Sequence, residues 1–179
     1  HYFTNTAGVG NDANFVLNQV KYEGIDVGSF ASPQLIDLNR NGKLDLVIGK
    51  NNGYLTYYEN TGTVNSPTYT KMTDSLGYVS TLSPGFFVGN SAPFIYDDNG
   101  EYKMIAGSLS GQIYKYDNIE GNLSDTFNIV DTELLNIKEG SWTSVSLADI
   151  TNDGKLDMLI GNQAGGLAYF KGSEPIISV

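Results

Sequence analysis

The amino-acid sequence predicts an all-β fold made of several similar antiparallel sheets. Three observations lead to this prediction: a repeated residue pattern, short runs of β-branched and aromatic residues, and the lack of a sustained helical apolar period. Apolar residues make up 40% of the 179 residues and aromatic residues 12%, which is enough for a real hydrophobic core. We therefore expect an ordered domain.

The repeat is clearest between two segments whose matched residues are separated by a constant interval. Residues 28–57 correspond to residues 140–169 without a gap. A degenerate copy lies between them, where Ala92-Pro93 resembles Ser32-Pro33, and a partial copy opens the chain at Tyr2. The repeating unit is therefore half of the interval between Gly28 and Gly140.

A unit of this length, slightly above 50 residues, is typical of solenoids and propellers, and the strand-like segments in each unit favour propeller blades. We expect four-stranded antiparallel blades. The predicted boundaries are 1–27 for the end of one blade, 28–85 for a blade with an acidic loop, 86–139 for a degenerate blade, and 140–179 for an incomplete blade with an acidic loop. About three units fit in the chain, whereas closed propellers need about 4–8 blades. The sequence therefore predicts part of a larger propeller that packs against further blades of its own chain or of another chain.

Within the best-preserved unit, strands are predicted at residues 34–37, 44–48 and 54–58, each bounded by Gly, Asn or Asp. The apolar run at residues 46–48 predicts an inner strand that is covered on both faces. The tyrosine-rich strand is predicted to be half exposed. Trp142 occupies the repeat position of Phe30, which predicts a place in the core between blades.

Two acidic loops carry the candidate chemistry, and they match each other in the repeat. Calcium takes about 6–8 oxygen ligands, and oxygens on alternate residues converge when a glycine permits a tight turn. Side chains at loop positions 1, 3, 5 and 9 and the backbone carbonyl at position 7 are the predicted ligands. They are Asp37, Asn39, Asn41, Lys43 and Asp45 in the first loop, and Asp149, Thr151, Asp153, Lys155 and Asp157 in the second. The sequence thus predicts two Ca²⁺ sites.

The alternative is that Asn-Gly and Asp-Gly mark ordinary hairpin turns. Two copies in register, each with a carboxylate at both ends, favour the metal interpretation. An EF-hand is excluded because its twelfth position requires a Glu, whereas Ile48 and Ile160 stand there. In the degenerate unit the loop is shorter and Lys103 replaces the last aspartate, so we predict a plain turn without metal.

The charge and composition exclude several classes of function. With 10 basic and 20 acidic residues the net charge is −10, which repels nucleic-acid phosphates and anionic membrane surfaces. We expect neither nucleic-acid binding nor membrane insertion. The single histidine is His1, which argues against a Ser-His-Asp triad or a histidine zinc site, and cysteine is absent. No catalytic residue is predicted.

The acidic loops, each followed by an apolar-Ile-Gly run, a further glycine and an aromatic-rich strand, resemble the FG-GAP or VCBS blades of integrin α-subunits and of secreted bacterial proteins. The sequence departs from the family at Thr151 and in the degenerate loop. The resemblance implies a propeller fold, bound calcium, and a secreted or cell-surface location.

Two functions remain open. The first is a non-catalytic extracellular module for adhesion that binds a protein or a glycan, and it is the one we favour. The second is part of a secreted carbohydrate-active protein, either a lectin or a polysaccharide-degrading enzyme. Weak calcium sites suit the exterior of a cell, where free calcium is in the millimolar range.

Overall fold

A computed structural model describes residues 1–173 and shows antiparallel β-sheets joined by turns, which confirms the predicted all-β class. The strands are β1 (Tyr2–Asn5), β2 (Phe15–Gln19), β3 (Ser32–Ile36), β4 (Asp45–Gly49), β5 (Leu55–Asn60), β6 (Tyr69–Thr73), β7 (Ala92–Asp98), β8 (Glu101–Gly107), β9 (Tyr114–Asp117), β10 (Asn128–Asp131), β11 (Ser144–Ala148), β12 (Asp157–Gly161) and β13 (Leu167–Phe170). Helical structure in residues 1–173 is limited to 3₁₀ turns at Tyr22–Gly24, Leu76–Tyr78 and Leu134–Asn136. None of these turns has the length or apolar character to cross a bilayer.

The strands form four sheets, and within each sheet every strand pairs with the next one along the chain. We call the sheet β3–β6 the first blade, β7–β10 the second blade and β11–β13 the third blade. A two-stranded sheet, β1–β2, precedes them. The predicted last unit runs to residue 179, and residues 174–179 lie outside the described part of the chain. These antiparallel sheets are compatible with propeller blades.

Neighbouring blades pack face to face, with an apolar core in each seam. Val47 and Leu55 of the first blade join Met104 and Tyr116 of the second in one cluster, and each is at most 1% exposed. A second cluster joins Ile105 of the second blade to residues of the third. We call the side of a blade that faces the next blade its forward face and the opposite side its backward face. Successive residues of an inner strand point to opposite faces, so every residue of β4 is buried.

The structure corrects two expectations about aromatic residues. Tyr57 and Tyr58 were predicted to be half exposed, but they are only 3% and 8% exposed because β5 is an interior strand, flanked by β4 and β6. Trp142 is only partly buried, and its ring lies 4.6 Å from that of Phe30, which is itself 53% exposed. Trp142 therefore lies beside Phe30, which precedes the first strand of the first blade, and not in the core between blades.

Candidate metal loops and the seam beside them

Each acidic loop joins the first and second strands of its blade, and the two loops share their backbone conformation. Arg40 and Asn152, at loop position 4, both have a φ of 56°. Gly42 and Gly154, at position 6, both have a φ of 84°, a left-handed conformation that favours glycine. The repeat in the sequence is thus a repeat in loop geometry.

The aspartate at position 1 closes each loop through backbone hydrogen bonds. Asp37 accepts them from the N–H groups of Asn41 at 2.8 Å and Gly42 at 2.7 Å. Asp149 accepts the equivalent bonds from Asp153 at 3.0 Å and from Gly154 at 2.8 Å. Both side chains therefore point into the turn.

In the first loop, the side chains at positions 3 and 5 also turn inward. Asn39 Oδ1 accepts a hydrogen bond from the Asn41 N–H at 3.2 Å, and Asn41 Oδ1 accepts one from the Lys43 N–H at 3.0 Å. The Asn39 amide donates to Glu59 Oε1 on β5 at 3.0 Å. Asn39 thus connects the loop to the third strand of its blade.

In the second loop, Asp153 Oδ1 accepts a hydrogen bond from the Lys155 N–H at 3.1 Å. Lys171 Nζ lies 3.2 Å from Asp153 Oδ2, and this hydrogen bond holds the pKa of the Asp153 carboxyl below its ordinary value. The Thr151 side chain also bonds to Asp153 and contributes to the same shift. The cationic side chain of Lys171 therefore lies beside the residue at position 5 of this loop.

The aspartate at position 9 behaves differently, because it is fully buried. Asp45 accepts hydrogen bonds from the Leu38 N–H at 3.2 Å, the Asn60 N–H at 2.9 Å and the Tyr57 hydroxyl at 3.0 Å. Burial, together with the charge of Asp45, raises the pKa of Tyr57. Asp45 therefore fastens the start of its loop to β5.

Asp157 repeats this arrangement in the third blade. It accepts hydrogen bonds from the N–H groups of Ile150 at 3.0 Å, Thr151 at 3.1 Å and Gly172 at 2.8 Å. The Gly172 hydrogen bond is the largest cause of a lowered pKa at the Asp157 carboxyl. The structure thus gives the position-9 aspartates a role inside the blade that the sequence pattern did not show.

The donor set of both loops fits calcium chemically. A carboxylate has about four lone-pair sites and an amide oxygen two, so Asp37 and Asn41 retain acceptor capacity after the hydrogen bonds described above. Within residues 1–173, no group of three or more Asp, Glu or His side chains is placed to hold a metal ion. Calcium here would therefore also depend on amide and backbone carbonyl oxygens, which are ordinary calcium ligands.

The degenerate loop of the second blade binds the guanidinium of Arg40. Arg40, the single arginine of the sequence, extends from the first acidic loop to the second blade. Its Nη2 lies 3.0 Å from Asp97 Oδ2, 3.0 Å from the Gly100 carbonyl oxygen and 2.9 Å from Glu120 Oε1. Its guanidinium stacks 3.9 Å above the centre of the Tyr102 ring. Three oxygens thus surround one guanidinium at the seam between the first two blades.

These contacts also shift pKa values and extend back to the first loop. Hydrogen bonds from Gly100 and from Arg40 lower the pKa of the Asp97 carboxyl, and the bonds to Glu120 and Asp97 raise that of Arg40. The Tyr102 hydroxyl donates to the Asp37 carbonyl oxygen at 2.9 Å. Sequence reasoning missed this seam, although a lone arginine at position 4, where the second loop has an asparagine, was a usable signal.

A cleft of about 730 Å³ opens beside this seam, between the first two blades. Asn39 and Glu59 line it from the first blade, and Glu120 and Asp125 from the second. Tyr78, which is 64% exposed, forms part of its wall. Its volume lies within the range of small-molecule sites, about 300–1,000 Å³.

Comparison with known protein families gives a match in the third blade. Residues 141–173 match the model of the FG-GAP repeat, and this segment contains β11, the second acidic loop, β12 and β13. Comparison with curated proteins gave no match. The matched segment includes Asp149 and Asp157, whose repeat counterparts in the first blade are Asp37 and Asp45. The third blade is therefore similar to an FG-GAP repeat, and this match is consistent with the integrin-α-like repeat family.

Proposed function

We propose that the chain is a calcium-binding, non-catalytic β-propeller module that binds a protein or a glycan outside the cell. The observation that carries this proposal is the pair of acidic loops, which share their φ angles and direct oxygen-bearing side chains into the turn. A secreted or cell-surface location agrees with weak calcium sites that fill at millimolar concentration.

Calcium would be held by the predicted side chains at positions 1, 3, 5 and 9 and by the carbonyls of Lys43 and Lys155. The metal would neutralise the carboxylates of each loop, and so stabilise the blade. A ligand present at ten to a thousand times its dissociation constant adds roughly 1.4–4 kcal/mol of stability. Calcium in this proposal has a structural role and takes no part in a reaction.

The number of bound ions tests the proposal, and position 1 is the right place to change it because Asp37 and Asp149 are not buried. Calorimetric titration with calcium chloride should give two ions for the parent and one each for Asp37→Ala and Asp149→Ala. Asp97→Ala, in the degenerate loop, is the matched control and should still bind two ions. A parent that binds no calcium at millimolar concentration would reduce both loops to ordinary turns.

The cleft beside the first loop supports a binding role, and its lining also suits the alternative function, a carbohydrate-active protein. An exposed tyrosine ring beside Glu59 and Asp125 offers an apolar face and hydrogen-bond acceptors, which suits a sugar. Screening the chain on a glycan array, with Tyr78→Ala as the paired variant, separates the candidates. Binding that Tyr78→Ala abolishes would favour a lectin-like function, and the lack of any glycan signal would favour a protein ligand.

A further inference from the structure

The segment that leads into the second blade is longer than its counterparts in the first and third blades. Between the 3₁₀ turn and the next strand it spans residues 79–91, which are 13 residues, whereas residues 25–31 and 137–143 are seven each. Asn90, near its end, has a positive φ as Phe30 and Trp142 do, which places the extra residues before it. We call residues 79–91 the long connection. Its middle part, residues 82–87, has no counterpart in the other two blades, so a blade of this type can be built without it.

The long connection folds into a defined turn that exposes two aromatic rings. The Phe86 N–H donates to the Ser83 carbonyl at 3.1 Å, and Gly85 has a φ of 86°, as in a type II turn in which proline precedes the glycine. Phe86 is 43% exposed and Phe87 is 99% exposed. A ring that a turn already holds in place loses less freedom when a ligand binds to it, so this turn suits ligand contact.

Ser83 anchors the long connection to a cluster of polar side chains in the second blade. It is 6% exposed, and its hydroxyl oxygen lies 2.8 Å from Ser110 Oγ and 2.8 Å from the Tyr114 hydroxyl oxygen. It also donates a hydrogen bond to Gln112 Oε1, and Gln112 Nε2 donates to Glu133 Oε1 at 2.7 Å. Several hydrogen bonds therefore fix the orientation of the Gln112 amide.

The repeat does not supply these polar side chains. Tyr54 in the first blade and Gly166 in the third occupy the repeat position of Gln112. Ser75 occupies that of Glu133, since each of the two residues directly precedes the 3₁₀ turn of its blade. The anchoring serine lies in the part of the long connection that has no counterpart. The cluster is therefore specific to the second blade and is not a requirement of blade packing.

A pocket of about 540 Å³ opens between the long connection and this cluster. Phe86 forms part of its wall, and Ser110, Gln112 and Ser141 also line it. It lies at the end of the blades opposite to the acidic loops, because it is formed by the turn between β8 and β9 and by the segments that lead into β7 and β11. Among the described residues, its lining and that of the cleft beside the first acidic loop have no member in common. Its volume lies within the range of small-molecule sites.

The chemistry of the lining indicates the class of ligand. In the described part of the chain, its charged side chains are Glu133 and Lys138, so their charges cancel, although the whole chain carries a net charge of −10. The pocket therefore has no net charge that would select a cation or an anion. A wholly apolar ligand would leave the hydroxyl and amide groups of the lining without partners. An aromatic ring beside several hydrogen-bonding groups matches a sugar, which has an apolar ring face and polar hydroxyls.

We propose that this pocket binds a neutral saccharide, with one sugar ring against Phe86 and the sugar hydroxyls bonded to the polar side chains of the lining. The inference rests on the proposed binding function, since it names the ligand class as a glycan. It depends neither on calcium nor on the cleft beside the first acidic loop. It adds a binding site at the other end of the blades.

Saturation-transfer difference NMR on the full chain tests the pocket, with the methyl glycosides of glucose, galactose, mannose and N-acetylglucosamine as probes. At least one glycoside should bind at millimolar concentration. Phe86→Ala should weaken its binding about tenfold, because the stacking surface is lost. Phe87→Ala is the matched control, since Phe87 is the next residue and is fully exposed but is not part of the described lining. It should leave the affinity within about twofold.

Gln112→Met separates a sugar from an apolar ligand, because it removes the amide and keeps a side chain of similar length. It should weaken glycoside binding, and unchanged or tighter binding would contradict a saccharide ligand. The proposal would also be overturned if none of the four glycosides bound, or if Phe86→Ala and Phe87→Ala weakened binding equally. Binding lost on Tyr78→Ala but kept on Phe86→Ala would overturn it too. That last result would leave the proposed glycan function intact, since the sugar would then occupy the cleft beside the first acidic loop.

Discussion

Asp45→Ala should destabilise the chain even when no calcium is present. The side chain is fully buried, and its two oxygens accept hydrogen bonds from Leu38, Tyr57 and Asn60. Alanine would leave three buried donors without an acceptor. Each buried polar group left unsatisfied costs about 1–3 kcal/mol, and water entering the space would recover part of that cost. We expect the free energy of unfolding to fall by about 3–5 kcal/mol.

Urea unfolding in EDTA measures this loss, because the chelator removes any contribution from the metal. The fluorescence of Trp142, the single tryptophan, reports the transition. Asn41→Ala is the matched control, since Asn41 is in the same loop but is exposed and accepts a single hydrogen bond, from Lys43. It should cost less than about 1 kcal/mol in EDTA.

The two variants together separate the structural role of the loop from its metal role. In the presence of calcium, both variants should lose the stability that the ion adds to the first loop. In EDTA, only Asp45→Ala should have a free energy of unfolding clearly below that of the parent. If the unfolding free energy of Asp45→Ala in EDTA lay within about 0.5 kcal/mol of the parent value, a stabilising role for the buried hydrogen bonds of Asp45 would be refuted.

Three further outcomes follow from other contacts. Arg40→Met removes the cation between Asp97 and Glu120, so it should lower the melting temperature. The decrease should be smaller in about 1 M salt, because salt screens ion pairs. An equal decrease in low and high salt would contradict an ionic role for Arg40. A hydrogen bond from Lys71 lowers the pKa of the Asp74 carboxyl. The ionised carboxylate therefore stabilises the fold at pH values above its unfolded pKa of about 3.9. This contribution disappears as the pH falls through the lower pKa of the folded state. The melting temperatures of the parent and Asp74→Asn should therefore differ at pH 7 and converge towards about pH 2, and a constant difference would count against the shift. Gly107→Ala should destabilise the chain by several degrees in a thermal scan, because its Cβ would meet the Thr143 carbonyl; a neutral effect would mean that the seam can open at no cost.

Much of the fold could be predicted from the sequence, because it depends on local patterns. The constant register of the repeat, the glycines at the turns and the short apolar runs are properties of neighbouring residues, and they placed the first three strands of the first blade to within two residues. The position of β6 was not predicted. The same local character made the loops recognisable, since Asp37 bonds to residues four and five positions further on.

The remaining features depend on partners that are distant in the chain, and no local pattern specifies them. Asp45 lies at the end of a recognisable loop, but its burial follows from β5, which brings Asn60 to its side chain. Arg40 meets Asp97 and Glu120, which are 57 and 80 residues away, only because two blades pack face to face.

The sequence by itself determined that this chain is a repeat of β-sheets with two matching acidic loops, because a repeated local pattern yields the same strands and turns each time it occurs. Only the tertiary structure decided which faces are covered. Leu55 is buried and Leu167 is exposed, although they occupy the same repeat position. The difference arises because burial depends on the neighbouring blade that covers a side chain, and the residues around that side chain do not encode its presence.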